Sequence, residues 1–305
     1  MSEARVSAPG TKWVQGIADR HDPAVLFSLE GCDTVSTMHT TVSAHLEITV
    51  ENPTEIIFVI AAAGTDSSLS AHVDETLTIL HNGADLDVSE INDAHSTRMH
   101  RVKAPIGRVS LDYRATVSGQ PDPAPIDQAD LVRYLRPSRY CQSDVLGPTA
   151  AYQFHGLSGY ELIQAVESWV HAQLFYVPGS SGPTDGAVET LLGRQGVCRD
   201  YAHLVIALLR ALDVPARLAA VYAPGLSPMD FHAVVEAYTD GHWYVVDATR
   251  LAPRKSMVRI ATGRDAADTA FMTSSGSGLT LNNIQVTAVA DELPVDLSTE
   301  RVQLA

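Results

Sequence analysis

The stretch GRQGVCRDYAHLVIALLRALDVPAR, from Gly193 to Arg217, decides the fold of this chain. Its apolar residues recur at helical spacing, and the Val-Pro pair that ends at Pro215 stops the helix that this spacing predicts. Cys198 falls in the first turn, where unpaired backbone N–H groups and the positive end of the helix dipole favour a thiolate. A lone cysteine in an apolar helix is more often an inert buried residue. The downstream sequence decides between these two interpretations.

Two downstream segments supply partners for Cys198. DFHAVVEAY places His232 at the start of a predicted strand, and HWYVVDATR places Asp247 on the following strand. An Asp-Gly pair at 240–241 predicts a tight hairpin that would pair position 232 with position 248. A cysteine, a histidine and a carboxylate arranged in this way form the thiol version of a catalytic triad. The histidine takes the thiol proton, and the carboxylate orients the ring and stabilises its charged form.

The same residues carry a family resemblance. GVCRDYAHL…ALDVPARL, DFHAVVEAY and WYVVDATR resemble the three motif blocks of the transglutaminase-like cysteine enzyme superfamily. The flanking segments YLRPSRYCQSDVL (134–146) and VRIATGRDAADTAF (258–271) are similar to segments of its bacterial branch. The resemblance implies a papain-like α+β core with Cys198 as nucleophile, His232 as base and acid, and Asp247 as orienter. One departure is an alanine directly after Asp247, where many relatives have proline, and it should not affect the chemistry.

Three neighbours of these residues have roles other than the chemistry itself, or more than one interpretation. Asp200 is either a first-turn carboxylate favoured by the helix dipole or a residue that holds the loop before Cys198. Thr249 is expected to support the end of its strand. Arg199 is expected to be solvated, with the steering of an anionic substrate as the alternative.

The first third of the chain has a different pattern. Alternating runs such as TVSAHLEITVEN and RVSLDYRATVSG predict short strands, and HNGAD (81–85) predicts a tight hairpin turn. The proline-rich segment GQPDPAPID (119–127) is typical of a linker. The predicted architecture is therefore a β-rich, sandwich-like N-terminal domain (1–125) followed by a transglutaminase-like α+β catalytic domain (126–305).

Composition excludes several classes of partner. The formal net charge of −15 over 305 residues argues against a general nucleic-acid or anionic-membrane surface. The N-terminus lacks the pattern of a secretory signal, and no apolar run is long enough to span a bilayer, so a cytoplasmic location is expected. The three cysteines are too few and too scattered for a disulfide framework, and Cys32 and Cys141 are expected to be ordinary thiols.

Metal and cofactor motifs are missing from the sequence. None of the twelve histidines has paired metal-ligand spacing, so His171, His203 and His242 are expected to be packed or solvated. No calcium-binding loop of the DxDxDG type occurs, and no cofactor is expected.

The sequence thus predicts cysteine-dependent acyl transfer on an amide, either a peptide bond or a glutamine side chain, through a thioester intermediate. The expected partners are a peptide or protein substrate and, for transamidation, a primary amine. Hydrolysis and transamidation stay open, because the triad does not distinguish them. The alternative is a binding or scaffold protein on a transglutaminase-like fold, and the intact Cys198, His232 and Asp247 argue against it.

Overall fold

The computed structural model describes residues 39–64, 72–119 and 126–304. The strands of these ranges are, in chain order, β1 (His39–Val50), β2 (Thr54–Phe58), β3 (His72–His81), β4 (Ala84–Asp85), β5 (Val88–Asn92), β6 (Arg98–Ala104), β7 (Gly107–Ser118), β8 (Phe175–Tyr176), β9 (Gln195–Gly196), β10 (Ala216–Tyr222), β11 (Phe231–Thr239), β12 (His242–Val246), β13 (Val258–Gly263), β14 (Met272–Ser275) and β15 (Leu279–Ala290). The helices are α1 (Gln128–Arg133), α2 (Ser143–Gln153), α3 (Gly159–Gln173), α4 (Ala187–Gly193) and α5 (Cys198–Ala211), with 3₁₀ turns at Ala94–Ser96 and Arg254–Ser256.

Two antiparallel sheets form the strand-rich region that the alternating pattern predicts. One has the strand order β15-β1-β7-β3-β4 and the other β14-β2-β6-β5. Every second residue of β1 from Thr40 to Val50 is buried, and buried side chains from both sheets share one core. The predicted turn between β3 and β4 is present, with Asn82 and Gly83 at φ 49° and 85°. Asparagine and glycine tolerate these positive values, which a two-residue hairpin of this type requires.

Two strands from the far end of the sequence complete these sheets. β15 pairs with β1, and β14 pairs with β2, both antiparallel. The sequence alone places both segments in the region 126–305. The predicted boundary falls at residues 120–125, which lie outside the described residues, so the division into 1–125 and 126–305 stays a prediction.

Helix α5 is the centre of the second half of the molecule. It packs against α2, α3 and α4 on one side and against β10 and β11 on the other. Every residue from Asp200 to Arg210 is buried, as expected of a helix that is covered all round. The chain then turns at Asp213, at φ 60°, before Pro215. The sheet beneath α5 has the order β12-β11-β10-β13, so this half has the predicted α+β architecture.

The sheet beneath α5 contributes buried residues to the core of the sandwich. Tyr222 at the end of β10 is buried in the sandwich core and donates a 2.8 Å hydrogen bond to the carbonyl of Ile60. The Ala63 N–H donates to the Arg259 carbonyl at 2.8 Å. These contacts hold the chain after β2 beside β10 and β13. Among the described residues, no helix is both long and apolar enough to cross a membrane.

Candidate active site

Cys198 is the first residue of α5. The chain enters the helix through Val197, which is extended, and through Gly196, which pairs in parallel with Tyr176. The first backbone N–H groups of a helix have no partner within the helix, and they carry the positive end of its dipole. The half-buried Cys198 thiol therefore lies where a negative charge is favoured, as the sequence predicts.

His232 and Asp247 form a buried, hydrogen-bonded pair. His232 Nε2 and Asp247 Oδ2 are 2.9 Å apart, and both side chains are at most 2% exposed. The other carboxylate oxygen, Oδ1, accepts hydrogen bonds from the Thr249 N–H at 2.9 Å and from the Thr249 hydroxyl at 2.7 Å. Asp247 is thus fixed from both sides. Thr249 holds the carboxylate itself, in addition to the strand end that the sequence assigns to it.

The geometry of the hairpin differs from the sequence prediction by one residue. The ladder between β11 and β12 pairs Thr239 with His242 and stops at Val235 and Val246. This register does not pair positions 232 and 248, and Asp247 follows the strand and is not part of it. His232 instead pairs with Val221 of β10. The side chain of Asp247 reaches the ring from beyond the end of the ladder.

The surroundings of His232 favour its charged form. Burial alone would lower the pKa of His232, because desolvation disfavours the imidazolium. The charge and hydrogen bond of Asp247, together with the Cys198 thiol, outweigh burial and raise the pKa of His232 to about 10. Burial favours a neutral Asp247, but the His232 charge and the hydrogen bonds from His232 and Thr249 lower its pKa. The two residues therefore form an ion pair at neutral pH.

The remaining nitrogen of the ring is available to the thiol. Nε2 of His232 is bonded to Asp247, so a contact with Cys198 must use Nδ1. Nδ1 is buried and has no other hydrogen-bond partner among the described residues. Cys198 and His232 also line the same cavity. The structure thus brings together the three side chains that the sequence singles out, in the order thiol, imidazole, carboxylate.

Asp200 connects the start of α5 to the segment before α4. Its Oδ2 accepts a 2.8 Å hydrogen bond from the Val197 N–H, and its Oδ1 accepts a 2.9 Å hydrogen bond from the Ser181 hydroxyl. A Cβ on Gly196 would lie 2.6 Å from the Asp200 Cβ, so the close packing here requires glycine. These contacts favour the second interpretation from the sequence, in which Asp200 holds the loop before Cys198.

Arg199 is not the solvated arginine that the sequence predicts. Its Nη2 donates to the Ser181 hydroxyl at 2.5 Å and to the Gly182 carbonyl at 2.7 Å. The same nitrogen lies 3.4 Å from Asp200 Oδ1. The guanidinium is therefore held by the segment that Asp200 also binds.

Tyr176 is a residue at the site that the sequence reasoning missed. Its hydroxyl lies at the backbone amide of Cys198, an interaction that lowers the pKa of the phenol. Burial and the nearby Cys198 side chain act in the opposite direction and raise the pKa of Tyr176 to about 12. The hydroxyl therefore keeps its proton at neutral pH. The parallel pairing of Tyr176 with Gly196 brings it here, and nothing in the spacing of the sequence indicates that pairing.

Two cavities adjoin the ion pair. The one that contains Cys198 and His232 has a volume of about 250 Å³. A larger one, about 490 Å³, lies behind Asp247 between α3, β12 and the segment around Asp296. Its charged side chains are paired, Arg250 with Glu167 and Arg254 with Asp296. The Cys198 thiol belongs to the smaller cavity, which is therefore the candidate substrate cleft.

The other histidines considered from the sequence have structural contacts or are exposed. His203 is fully buried and accepts a hydrogen bond from the Ala266 N–H, and burial lowers its pKa to about 3. His171 Nδ1 donates to the Ala248 carbonyl at 2.8 Å, and His242 is exposed beside its turn. In the ranges that the structure describes, no group of three or more His, Cys, Asp or Glu residues is arranged to hold a metal ion.

Of the other two cysteines, the structure describes Cys141, whose surroundings do not activate its thiol. Cys141 is fully buried, and burial raises the pKa of its thiol to about 12. A thiol with this environment is inert at neutral pH. Cys32 lies outside the described residues.

Comparisons with known proteins show which family this chain resembles. The family model of the transglutaminase-like superfamily matches residues 149–248, which include Cys198, His232 and Asp247. The curated relatives include uncharacterized protein ML0607 of Mycobacterium leprae, 26% identical over 136 residues, which are 41% of this chain and 47% of that protein. Uncharacterized protein Rv2569c of Mycobacterium tuberculosis is 31% identical over 128 residues, 35% of this chain and 39% of that protein. The matched parts thus span less than half of the length of these relatives.

A solved structure is similar to this chain over nearly the whole length of the solved protein. It is a candidate cysteine protease from Cytophaga hutchinsonii, with a TM-score of 0.77 and 36% sequence identity. The match covers 85% of this chain and 92% of that one. The family match and this neighbour support a cysteine-dependent activity in general. From the motif residues, the fold and these likenesses, we conclude that the chain belongs to the transglutaminase-like superfamily.

Proposed function

We propose that this protein is a cysteine-dependent enzyme that cleaves an amide through a thioester on Cys198, with hydrolysis of a peptide bond as its reaction. One observation carries the proposal. His232 is bonded to Asp247 through Nε2, and its Nδ1 is left to the thiol at the start of α5. A thiol, a histidine base and an orienting carboxylate in this order are the parts that nucleophilic acyl transfer requires.

The reaction divides into two halves. In the resting pair the Cys198 proton already resides on His232 Nδ1, and the thiolate sulfur attacks the carbonyl carbon of the amide. As the tetrahedral intermediate collapses, the C–N bond breaks and the imidazolium returns the proton to the leaving amine. A water molecule then attacks the thioester while His232 takes its proton, and the C–S bond breaks to release the acid and the free cysteine. Asp247 keeps the ring oriented and stabilises its charge in both halves.

Two groups would stabilise the negative oxygen of the intermediate. The Cys198 backbone N–H lies at the N-terminus of α5, and the Tyr176 hydroxyl lies beside it. The raised pKa of Tyr176 keeps its proton in place, so the phenol can donate a hydrogen bond to the developing oxyanion. In the free protein the two groups interact with each other, and the oxyanion would lie between them.

The likeness to a candidate cysteine protease, at 36% identity over most of both chains, favours a peptide bond as substrate and water as acceptor. The test is incubation with a peptide library, with and without a primary amine, followed by mass spectrometry. We expect Cys198-dependent backbone cleavage that the amine does not change. Incorporation of the amine, or deamidation of glutamine, would contradict peptide hydrolysis and show that the thioester takes part in a different reaction.

The matched control is the Cys198→Ala variant, compared with a Cys141→Ala variant that removes the inert thiol. Loss of cleavage in the first and retention in the second are expected. Cleavage that survives Cys198→Ala would contradict the proposal, because the other described cysteine, Cys141, is fully buried and burial raises the pKa of its thiol to about 12.

A further inference from the structure

The cavity that contains Cys198 has an apolar lining drawn from separate parts of the chain. Val59 comes from the sandwich, Ile260 from β13, and Phe231 and Phe271 stack with ring centres 5.4 Å apart. The volume of about 250 Å³ corresponds to roughly eight water-sized groups, at about 30 Å³ for each water. That is enough for an aliphatic or phenyl side chain.

The charges around the cavity exclude other kinds of occupant. Apart from Cys198 and His232, the ionisable residue in its described lining is Arg199. Its guanidinium is held by the Ser181 hydroxyl and the Gly182 carbonyl beside Asp200, so a substrate carboxylate would have to displace these contacts. The described lining also lacks an acidic residue that could pair with a lysine or arginine side chain. A charged side chain would therefore lose its hydration here without gaining a partner.

The position of the cavity identifies which part of the substrate enters it. The carbonyl carbon of the substrate must reach the Cys198 sulfur, and Cys198 is one of the residues that line the cavity. We propose that the cavity is a specificity subsite for the side chain of the residue that supplies the cleaved carbonyl, and that this residue is Leu, Ile, Met or Phe. This inference rests on the proposed function and deepens it. It also gives the sandwich a role, because Val59 forms part of the subsite wall.

Peptidyl chloromethyl ketones test the subsite without a known substrate. Each reagent carries one residue directly before its reactive group and alkylates the active-site thiol, and the second-order rate constant is measured by intact-protein mass spectrometry. We expect the Leu and Phe reagents to react about 10- to 100-fold faster than the Ala reagent, since burial of such a side chain stabilises the complex to that extent. The Glu and Lys reagents should be slower than the Ala reagent. A preference for Glu or Lys, or equal rates for all reagents, would overturn the proposal.

Two neighbouring alanines provide a matched pair of variants. Ala266 lines the cavity, whereas Ala267 is exposed and does not. Ala266→Phe should fill the subsite, so that the Leu and Phe reagents no longer react faster than the Ala reagent. Ala267→Phe should change nothing. If Ala266→Phe does not fold, Phe271→Ala provides a second test, because a widened subsite should lower the rate of the Leu reagent.

Iodoacetamide separates failure of the subsite from failure of the proposed function. This small reagent carries no side chain that needs the subsite, so the unmodified protein and Ala267→Phe should both react with it rapidly at Cys198. Fast labelling of Cys198 by iodoacetamide without any ranking of the peptidyl reagents would refute the subsite alone. Slow labelling by both classes of reagent would refute the proposed function and, with it, the subsite that depends on it.

Discussion

Replacement of Asp247 by asparagine should put the proton of His232 on the wrong nitrogen. Oδ1 of Asp247 accepts two hydrogen bonds from Thr249, so the side-chain oxygen of the asparagine should occupy the position of Oδ1. The NH₂ group of the asparagine then occupies the position of Oδ2 and faces Nε2 of His232. An amide NH₂ group can only donate, and Nε2 must then accept. The neutral ring of the variant therefore carries its single proton on Nδ1, the nitrogen that faces Cys198. His232 can then no longer take the thiol proton.

The expected size of the effect comes from the balance of forces on His232. With Asp247 charged, the pKa of His232 is about 10, whereas burial alone would place it below the ordinary value of 6.5. Asp247→Asn should therefore lower this pKa by about three units or more. The equivalent change in a Ser-His-Asp triad lowers kcat about 10⁴-fold, and we expect a loss of about 10³- to 10⁴-fold in turnover here.

The assay is ¹⁵N NMR of protein labelled at histidine, with the His232 signals assigned by their loss in His232→Ala. In the unmodified protein the ring should be doubly protonated at pH 8, and in Asp247→Asn it should be neutral with the proton on Nδ1. Asp240→Asn makes the same change at an exposed carboxylate on the same hairpin and should leave the signals unchanged. A doubly protonated His232 at pH 8 in a folded Asp247→Asn variant would refute the reasoning.

Three further predictions follow from the same geometry. Tyr176→Phe should lower kcat about 10²-fold with little change in KM, because it removes one of two oxyanion donors. Steady-state kinetics that show an unchanged kcat would exclude Tyr176 as an oxyanion donor. Gly196→Ala should destabilise the protein by about 1–3 kcal/mol in urea unfolding, because the new Cβ would lie 2.6 Å from a neighbouring side-chain carbon. Gly193→Ala, whose Cβ would meet nothing within 4 Å, should not destabilise it, and equal stabilities of the two variants would contradict the packing argument. Because the pKa of His232 is raised on folding, charged His232 stabilises the folded protein fully below pH 6.5, and this stabilisation is lost as the pH rises toward 10. Because the pKa of Asp247 is lowered on folding, charged Asp247 stabilises the folded protein above pH 3.8, and this stabilisation is lost as the pH falls further. The difference in unfolding free energy between the unmodified protein and His232→Gln should therefore narrow between pH 6.5 and pH 9, and a constant difference would argue against the ion pair.

The sequence predicts what depends on local patterns. The helix after Cys198 follows from apolar spacing, and the hairpins at 82–83 and 240–241 follow from residues that tolerate a positive φ. That second hairpin joins the strand that contains His232 to the strand that Asp247 directly follows. The proximity of His232 and Asp247 can therefore also be predicted from a local sequence pattern. The register differs by one residue, since the hairpin loop sets it and the ladder ends before Asp247.

Features that depend on distant contacts could not be predicted in this way. β15 pairs with β1 across more than two hundred residues, and alternation identifies a strand without identifying its neighbour. Tyr176 reaches the Cys198 amide through a two-residue parallel pairing that has no sequence signature. Val59 enters the wall of the cavity because the end of β2 packs beside β13, which is a consequence of tertiary structure.

The central claim is that His232 and Asp247 activate Cys198, and the pH dependence of Cys198 alkylation tests it most directly. Iodoacetamide labelling from pH 5 to 9 should be followed separately at Cys198 and Cys141 by peptide mass spectrometry, beside glutathione as a free thiol. An ordinary thiol with a pKa of about 8.5 is only about 0.3% ionised at pH 6. The account predicts that Cys198 reacts at pH 6 at least about tenfold faster than glutathione, and that His232→Ala abolishes this advantage. A Cys198 that reacts no faster than glutathione at pH 6 in the unmodified protein would contradict it.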